Sequence, residues 1–220
     1  MFAFLGCEQL TKLPNGDDDV TLAALNSLFT DGRPTLARIS GISMYSPFTS
    51  LRGSAESQTT IKDRLRIERL LSSAIDENGD GRSHRAMAVF LLAEGKLEQA
   101  RSEMDTAFEK DPRSAAIASD AGALFYEIAK SRDHHTDGAN YLYFLNGSLK
   151  QLDLAIELDA SLIEAKFNRA LCLEALFLRH QARVAWSDYL EIDLYSPWAD
   201  EARDRLRKLD DRIGIEMSAE

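Results

Sequence analysis

The stretch AMAVFLLAEGKLEQARSEMDTAFEKDP, residues 86–112, decides the fold. It holds two apolar runs with the i, i+3, i+4 spacing of amphipathic helices, and Gly95 separates them. Pro112 follows the second run and cannot continue a helix. Ala88 and Ala100 are small enough to let two antiparallel helices approach closely. We therefore interpret this stretch as a helix–turn–helix unit.

Residues of similar type recur along the chain at offsets of 34 and 48 positions. Four sets of positions keep these two offsets, and each set takes one residue from each of three successive units. The sets are Ala88, Gly122 and Ala170; Ala100, Ser148 and Ala182; Met104, Leu152 and Trp186; and Ala107, Ala155 and Tyr189. A 34-residue period with an insertion in the middle unit explains all four sets.

A single unit of this kind cannot bury its own apolar face, whereas several stacked units form a continuous core. The sequence therefore predicts an all-α solenoid of about three units with a C-terminal cap helix. The predicted boundaries are 81–114, 115–162 with an insertion near 131–146, 163–196, and 197–209 for the cap helix. Within the three units we expect helices near residues 82–94, 97–110, 114–130, 147–158, 162–177 and 180–192. Together with a preceding helix, these units make a helical domain over residues 56–220.

The first 55 residues have a different character, because they contain three of the five prolines and several turn signals such as Asn15-Gly16. We expect an irregular N-terminal arm with one short helix, capped near Asp17 and carrying Leu25 and Phe29 on its apolar side. Whether the part of the arm from Arg33 to Pro47 occupies the surface of the helical domain stays open at this point.

Composition excludes several classes of protein. With 45% hydrophobic and 28% charged residues, the 220-residue chain is typical of a soluble globular protein, and it has no apolar run long enough for a membrane helix. A net charge of −10 argues against binding to nucleic acid. Two cysteines, Cys7 and Cys172, are too few for a disulfide scaffold, which favours a reducing compartment and hence a cytoplasmic location.

The repeat resembles the tetratricopeptide repeat (TPR). The first unit matches well, with Gly95, Ala100 and Pro112 at the family's glycine, alanine and proline positions. The third unit departs from the pattern, with Phe177 at the usual turn glycine and Tyr189 at the usual second-helix alanine. The resemblance implies a helical solenoid that binds another protein or peptide.

A narrower similarity links the chain to the repeat region of bacterial CHAT proteins, which are caspase-like peptidases with repeats N-terminal to the protease. It rests on residues 167–176, 185–190 and 196–202, and in the arm on Arg33-Pro34 and residues 37–41. The His and Cys motifs of the peptidase are missing from this sequence. The resemblance therefore implies, as an alternative function, a regulatory or sensing part of a peptidase system, in cis or in trans.

In repeats of this kind the first helix of each unit lines a concave surface, so the resemblance implies a set of partner-binding residues. Asn168 is the most suggestive, because a side-chain amide both donates and accepts and can pair with a peptide backbone. Asp120 stands where carboxylate-binding relatives have an amide, which argues against a carboxylate clamp. The full set is Arg82, Arg85, Val89, Asp120, Tyr126, Phe167, Asn168 and Glu174.

Candidate chemistry elsewhere is weak. Residues 76–81 begin like a calcium loop, but the twelfth position is Met87 instead of glutamate. Cys172 lies on an apolar helix face, which indicates a core thiol, and the adjacent His134 and His135 lie in a polar stretch that indicates a solvated loop. We therefore expect no enzymatic activity, no cofactor and no metal site. Self-association stays possible, as does a partner-binding patch at residues 141–145.

Overall fold

The computed structural model describes residues 21, 24–29, 32–42, 45, 58–132 and 135–217. Eight helices follow one another from residue 58 to residue 217. They are α1 (Gln58–Glu77), α2 (Gly81–Ala93), α3 (Leu97–Lys110), α4 (Ala115–Ser131), α5 (Gly138–Leu158), α6 (Ile163–Ala175), α7 (Arg179–Ile192) and α8 (Pro197–Met217). No β-strand occurs in the described residues, and the all-α prediction is confirmed there.

Local chemistry explains where the helix pairs begin and turn. Asp80 is the N-cap of α2, because its carboxylate accepts a 2.8 Å hydrogen bond from the Ser83 backbone amide. That bond, together with one from the Ser83 hydroxyl, holds the pKa of Asp80 below its usual range although burial opposes the shift. The acidic loop before α2 therefore serves as a helix cap. Gly95 turns the chain into α3 with φ at 72°.

The helices pack as pairs in chain order: α2 with α3, α4 with α5, and α6 with α7, with α8 against α7. The first helices of the pairs also touch, because α4 packs against both α2 and α6. Small residues allow this approach. A Cβ added at Gly122 would lie 2.5 Å from Leu152 Cγ, and the Ser148 hydroxyl donates a 2.8 Å hydrogen bond to the Gly122 carbonyl.

The inserted residues of the middle unit extend α5 instead of forming a separate element. The sequence predicted a helix from about residue 147, whereas α5 begins at Gly138. Tyr141, Phe144 and Leu145 are buried, and the Phe144 ring packs edge-on against Phe125 at 5.9 Å between centroids. The apolar stretch 141–145 therefore belongs mainly to the core, although Leu142 and Tyr143 in it are exposed.

Two further boundaries differ from the expectation. Helix α8 continues to Met217, eight residues beyond the predicted end, because the charged sequence after residue 209 contains no helix-breaking proline. At the turn before α7, Phe177 adopts φ of 58°, the conformation that Gly95 adopts at the matching turn of the first pair. None of the described helices is both long and apolar enough to cross a membrane.

The arm contributes to the core of the helical domain. Residues 24–27 are helical, and Leu25 and Phe29 are buried. The proposed cap near Asp17 lies outside the described residues. Ile39 and Ile42 are also buried, so residues 32–42 pack against the domain. This arm segment, residues 32–42, is the starting point of the candidate site.

Candidate functional site

The arm segment lies along the inner face formed by α2, α4 and α6. Asn168 on α6 binds its backbone twice: the side-chain oxygen accepts from the Arg38 N–H at 2.7 Å, and the side-chain nitrogen donates to the Arg38 carbonyl at 2.8 Å. Asn168 is only 1% exposed. Both polar groups of one residue of the arm segment are thus satisfied by a single amide, in the way a neighbouring β-strand would satisfy them.

A second backbone contact lies between α2 and α4. Asp120 accepts from the Ser40 N–H at 2.8 Å, and its other carboxylate oxygen accepts from Arg85 Nε at 2.7 Å. Arg85 in turn donates to the Ser40 carbonyl at 2.5 Å. Because Asp120 is completely buried, Arg85 supplies the opposite charge that a buried carboxylate requires. Asp120 and Arg85 together satisfy the backbone N–H and carbonyl of Ser40, just as the Asn168 amide satisfies those of Arg38.

Glu127 on α4 makes the third backbone contact. It accepts from the Ala37 N–H at 2.9 Å and also from the Leu36 N–H. Burial raises the pKa of Glu127 from 4.5 to about 7, even though these two amides and nearby Arg33 favour the charged form. The carboxyl group beneath the arm segment therefore changes protonation near neutral pH.

Arg38 inserts its side chain into a socket of aromatic and acidic residues, where it is only 6% exposed. Its guanidinium lies 4.7 Å from the ring centroid of Trp198 and 5.7 Å from that of Phe167. It donates a 2.7 Å hydrogen bond to the Tyr189 hydroxyl, and Glu164 and Asp193 each lie 3.9 Å from it. Cation–π and ionic contacts therefore surround one arginine.

Hydrogen bonds organise the floor of this socket. Tyr189 donates to Asp193 at 2.5 Å, and the Ser196 hydroxyl donates to the same oxygen. Burial opposes the ionisation of Asp193, but these bonds and the Arg38 charge outweigh it and hold its pKa below the usual range. Asp193 is therefore an anion in the socket, and Tyr189 keeps its proton because burial raises the pKa of its hydroxyl.

Arg33 occupies a second socket at the α8 end of the inner face. Its Nη2 donates to Glu201 at 2.5 Å, and its guanidinium lies 4.4 Å from the ring centroid of Trp198 and 5.3 Å from that of Tyr45. The Arg33 side chain is 5% exposed. Both arginines of the arm segment therefore contact the same indole, and each has its own carboxylate partner.

Four of the eight residues expected to bind a partner contact the arm segment: Arg85, Asp120, Phe167 and Asn168. Val89 and Tyr126 are buried in the core, Arg82 is exposed, and Glu174 pairs with Arg205 and accepts from Trp186 Nε1. None of these placements tests the binding of a partner.

Sequence reasoning missed four residues of the two arginine sockets: Tyr189, Asp193, Trp198 and Glu201. The sequence held one sign of a special role for Tyr189, because this residue stands where the repeat has a small alanine. Its bulk was visible in the sequence, but the arginine that it contacts is 151 residues away. Residue spacing alone carries no information on such a contact.

The weaker candidates show no built site. Cys172 is buried, its sulfur contacts the Leu145 carbonyl at 3.1 Å, and burial raises its pKa to about 11, as expected of a core thiol. His134 lies outside the described residues, and His135 is exposed. Within the ranges that the structure describes, no group of three or more His, Cys, Asp or Glu residues is arranged to hold a metal ion.

Comparison with solved structures shows the fold. The chain is similar to TTC0263, a thermophilic TPR protein of Thermus thermophilus, with a TM-score of 0.58 and 18% identity over 71% of this chain and 77% of the other. It is also similar to the first TPR of Spaghetti (RPAP3) bound to the HSP90 peptide SRMEEVD, with a TM-score of 0.51 and 16% identity over 62% and 97% of the two chains.

A third similar structure is the Arabidopsis OM64 TPR domain, with a TM-score of 0.50 and 15% identity over 59% of this chain and 96% of the other. No protein-family model matches the sequence, and no curated protein matches it. The prediction of a TPR-like helical solenoid is confirmed at the level of the fold.

Proposed function

We propose that the protein is a non-catalytic interaction module that binds an extended peptide segment of a partner protein on its inner face. The single observation that carries this proposal is the double hydrogen bond between Asn168 and the backbone of Arg38. The arm segment is itself an extended peptide, and the side chains of the inner face hold it by its backbone.

Two further features support the proposal. The contacts at Asn168, Asp120 and Glu127 are made to backbone groups, which every peptide offers, so another segment of suitable shape meets the same partners. The similar RPAP3 domain has a bound peptide in its structure. The fold is thus compatible with the role that the geometry supports.

The test needs a chain in which the arm segment leaves the inner face while the face itself is unchanged. Replacing Ala37 and Ser40 with proline removes the Ala37 N–H donor to Glu127 and the Ser40 N–H donor to Asp120, and alters no residue of the helical domain. We call this Ala37→Pro/Ser40→Pro chain the arm-released variant. Ser40→Ala is its control, because it keeps the amide and removes a hydroxyl that has no hydrogen-bond partner among the residues that the structure describes.

Peptides selected from a random display library on the arm-released variant should depend on Asn168. Adding Asn168→Ala should weaken their binding at least tenfold, whereas adding Arg183→Ala on the exposed side of α7 should not change it. Circular dichroism should show equal helicity in all variants. If no selected peptide depends on Asn168, the inner face is not a peptide-binding surface and the proposal is wrong.

The regulatory role in a CHAT peptidase system is a second candidate. The observation that favours it is that the arm residues with the CHAT resemblance, Arg33-Pro34 and residues 37–41, lie within the segment held on the inner face. A peptidase domain or a separate peptidase would then be the partner. Adding the chain to a cognate peptidase should change the rate of peptide cleavage, and an unchanged rate would exclude this role.

The proposed setting is a reducing compartment such as the cytoplasm, because Cys172 is an unpaired buried thiol. Nucleic acid is an unfavourable partner for a chain with a net charge of −10. Self-association by exchange of arm segments would place the arm segment of one copy on the inner face of another, and light scattering on the full chain separates that state from a monomer.

A further inference from the structure

We infer that the partner segment recognised by the inner face is an extended peptide with two arginines separated by four residues, and that the arm segment is an internal copy of this ligand. The inference rests on the proposed function and adds the chemistry of the ligand. It follows from the contrast between the backbone contacts, which accept any sequence, and the Arg33 and Arg38 sockets, which do not.

The two sockets select arginine over other residues. A planar guanidinium can lie on an aromatic face and form ionic contacts at its edge at the same time, as Arg38 does with Trp198 and Asp193. A lysine ammonium is a compact, strongly hydrated charge and fits a flat aromatic surface less well. Because both arginines contact Trp198, the indole fixes the distance between the two sockets and thus the spacing in the ligand.

The charge of the inner face also requires a basic occupant. Glu164, Asp193 and Glu201 face the two guanidinium groups and are each largely buried. Removal of the arm segment without replacement takes the facing guanidinium from Glu164 and Asp193 and leaves Glu201 with Arg205 alone, so these carboxylates favour a basic occupant. A neutral or acidic peptide cannot compensate them, so it competes poorly with the arm segment.

Some buried hydrogen-bond donors of the arm segment lack acceptors on the inner face, which favours its replacement by a separate peptide. Three buried donor atoms, Nε and Nη1 of Arg33 and Nε of Arg38, have no hydrogen-bond acceptor among the described residues. A guanidinium with unpaired donors is held less firmly than its ionic contacts suggest. A separate peptide of the same chemistry gains the contacts of the arm segment and is free to place those donors better.

Tethering gives the arm segment a competitive advantage. A segment that is covalently joined to its site acts at an effective concentration on the order of a millimolar. The wild-type chain is therefore expected to bind a separate peptide at least tenfold more weakly than the arm-released variant does. The arm segment thus sets the affinity that a partner must exceed.

The experiment uses the full-length arm-released variant and a fluorescently labelled peptide with the sequence of residues 31–45, DGRPTLARISGISMY. Fluorescence anisotropy should show saturable binding. A matched peptide with lysine at the positions of Arg33 and Arg38 carries the same charge and should bind at least tenfold more weakly. Adding Asp193→Asn and Glu201→Gln to the arm-released variant should weaken binding of the arginine peptide by at least tenfold.

Each outcome decides between distinct claims. Equal binding of the arginine and lysine peptides would overturn the arginine inference and leave peptide binding intact. Failure of both peptides to bind a folded arm-released variant would overturn the inference, and the library selection separately tests the proposed function. If the arm-released variant loses its helicity, full-length Arg38→Ala takes its place. If that variant also unfolds, the arm segment is an integral part of the core and the inference is wrong.

Discussion

Asn168 shows how much one side chain contributes to this account. Its amide is buried and satisfies both backbone groups of Arg38, so no aliphatic or charged side chain can replace it. The sequence identified it because a side-chain amide both donates and accepts and can pair with a peptide backbone. What the sequence could not supply was the partner, which comes from 130 residues earlier in the chain.

Replacing Asn168 with alanine should lower the free energy of unfolding by about 2 to 3 kcal/mol, because a buried N–H and a buried carbonyl of Arg38 lose their partner. Urea denaturation followed by circular dichroism measures this. Asn146→Ala is the control, because the Asn146 side chain bonds only a carbonyl of its own helix and is exposed, so its effect should stay below about 0.5 kcal/mol. Equal losses in both variants would contradict the contact.

Glu127 predicts a pH dependence of stability. Burial raises its pKa from 4.5 to about 7 in the folded chain, so the folded state holds a proton that the unfolded state loses at lower pH. Stability from this group is therefore lost as the pH rises from about 4.5 to 7, by roughly 3.4 kcal/mol at 1.36 kcal/mol per pKa unit.

Glu127→Gln removes this titration and keeps a carbonyl oxygen as acceptor for the Ala37 N–H. Its free energy of unfolding relative to the wild type should therefore increase between pH 5 and pH 8 by about 2 kcal/mol. Parallel urea titrations at the two pH values measure the difference. A difference that is independent of pH would show that Glu127 is charged in the folded chain at both values.

At the scale of elements, the turns explain what the sequence predicted well and what it did not. Helices α2 and α3 were predicted within a residue or two, because Gly95 and Pro112 mark their limits. Helix α5 was predicted to begin nine residues too late, because the repeat period specifies only the part that matches the other units. The additional turns depend on packing of Phe144 against Phe125, which no local pattern encodes.

The turn between α6 and α7 carries backbone strain at Phe177, whose φ of 58° is unfavourable for a residue with a Cβ. The ring is 66% exposed and offers little packing in return. Phe177→Gly should therefore be about 1 kcal/mol more stable than Phe177→Ala, the reverse of the order in a helix. Thermal unfolding of both variants provides the test, and an alanine variant of equal or greater stability would contradict the assigned backbone conformation.

At the scale of the whole molecule, helical periodicity predicted the solenoid because contacts within a repeat are close in sequence. The inner face is different, because it joins residues 32–42 to side chains 45 to 168 positions away. Arg85, Asp120 and Asn168 were selected from the repeat phase alone. The repeat phase could not locate Trp198 and Glu201 of the arginine sockets, because these residues belong to the cap helix and not to a repeat unit.

The central claim is that the arm segment lies on the inner face and is held there by its backbone. Residue-resolved amide hydrogen exchange on the full wild-type chain tests it most directly, at the N–H groups of Ala37, Arg38 and Ser40. We expect all three amides to exchange at least roughly 100-fold more slowly than the same residues in a free peptide, because each donates to a side chain of the inner face. Exchange at free-peptide rates would show that the segment does not occupy the inner face.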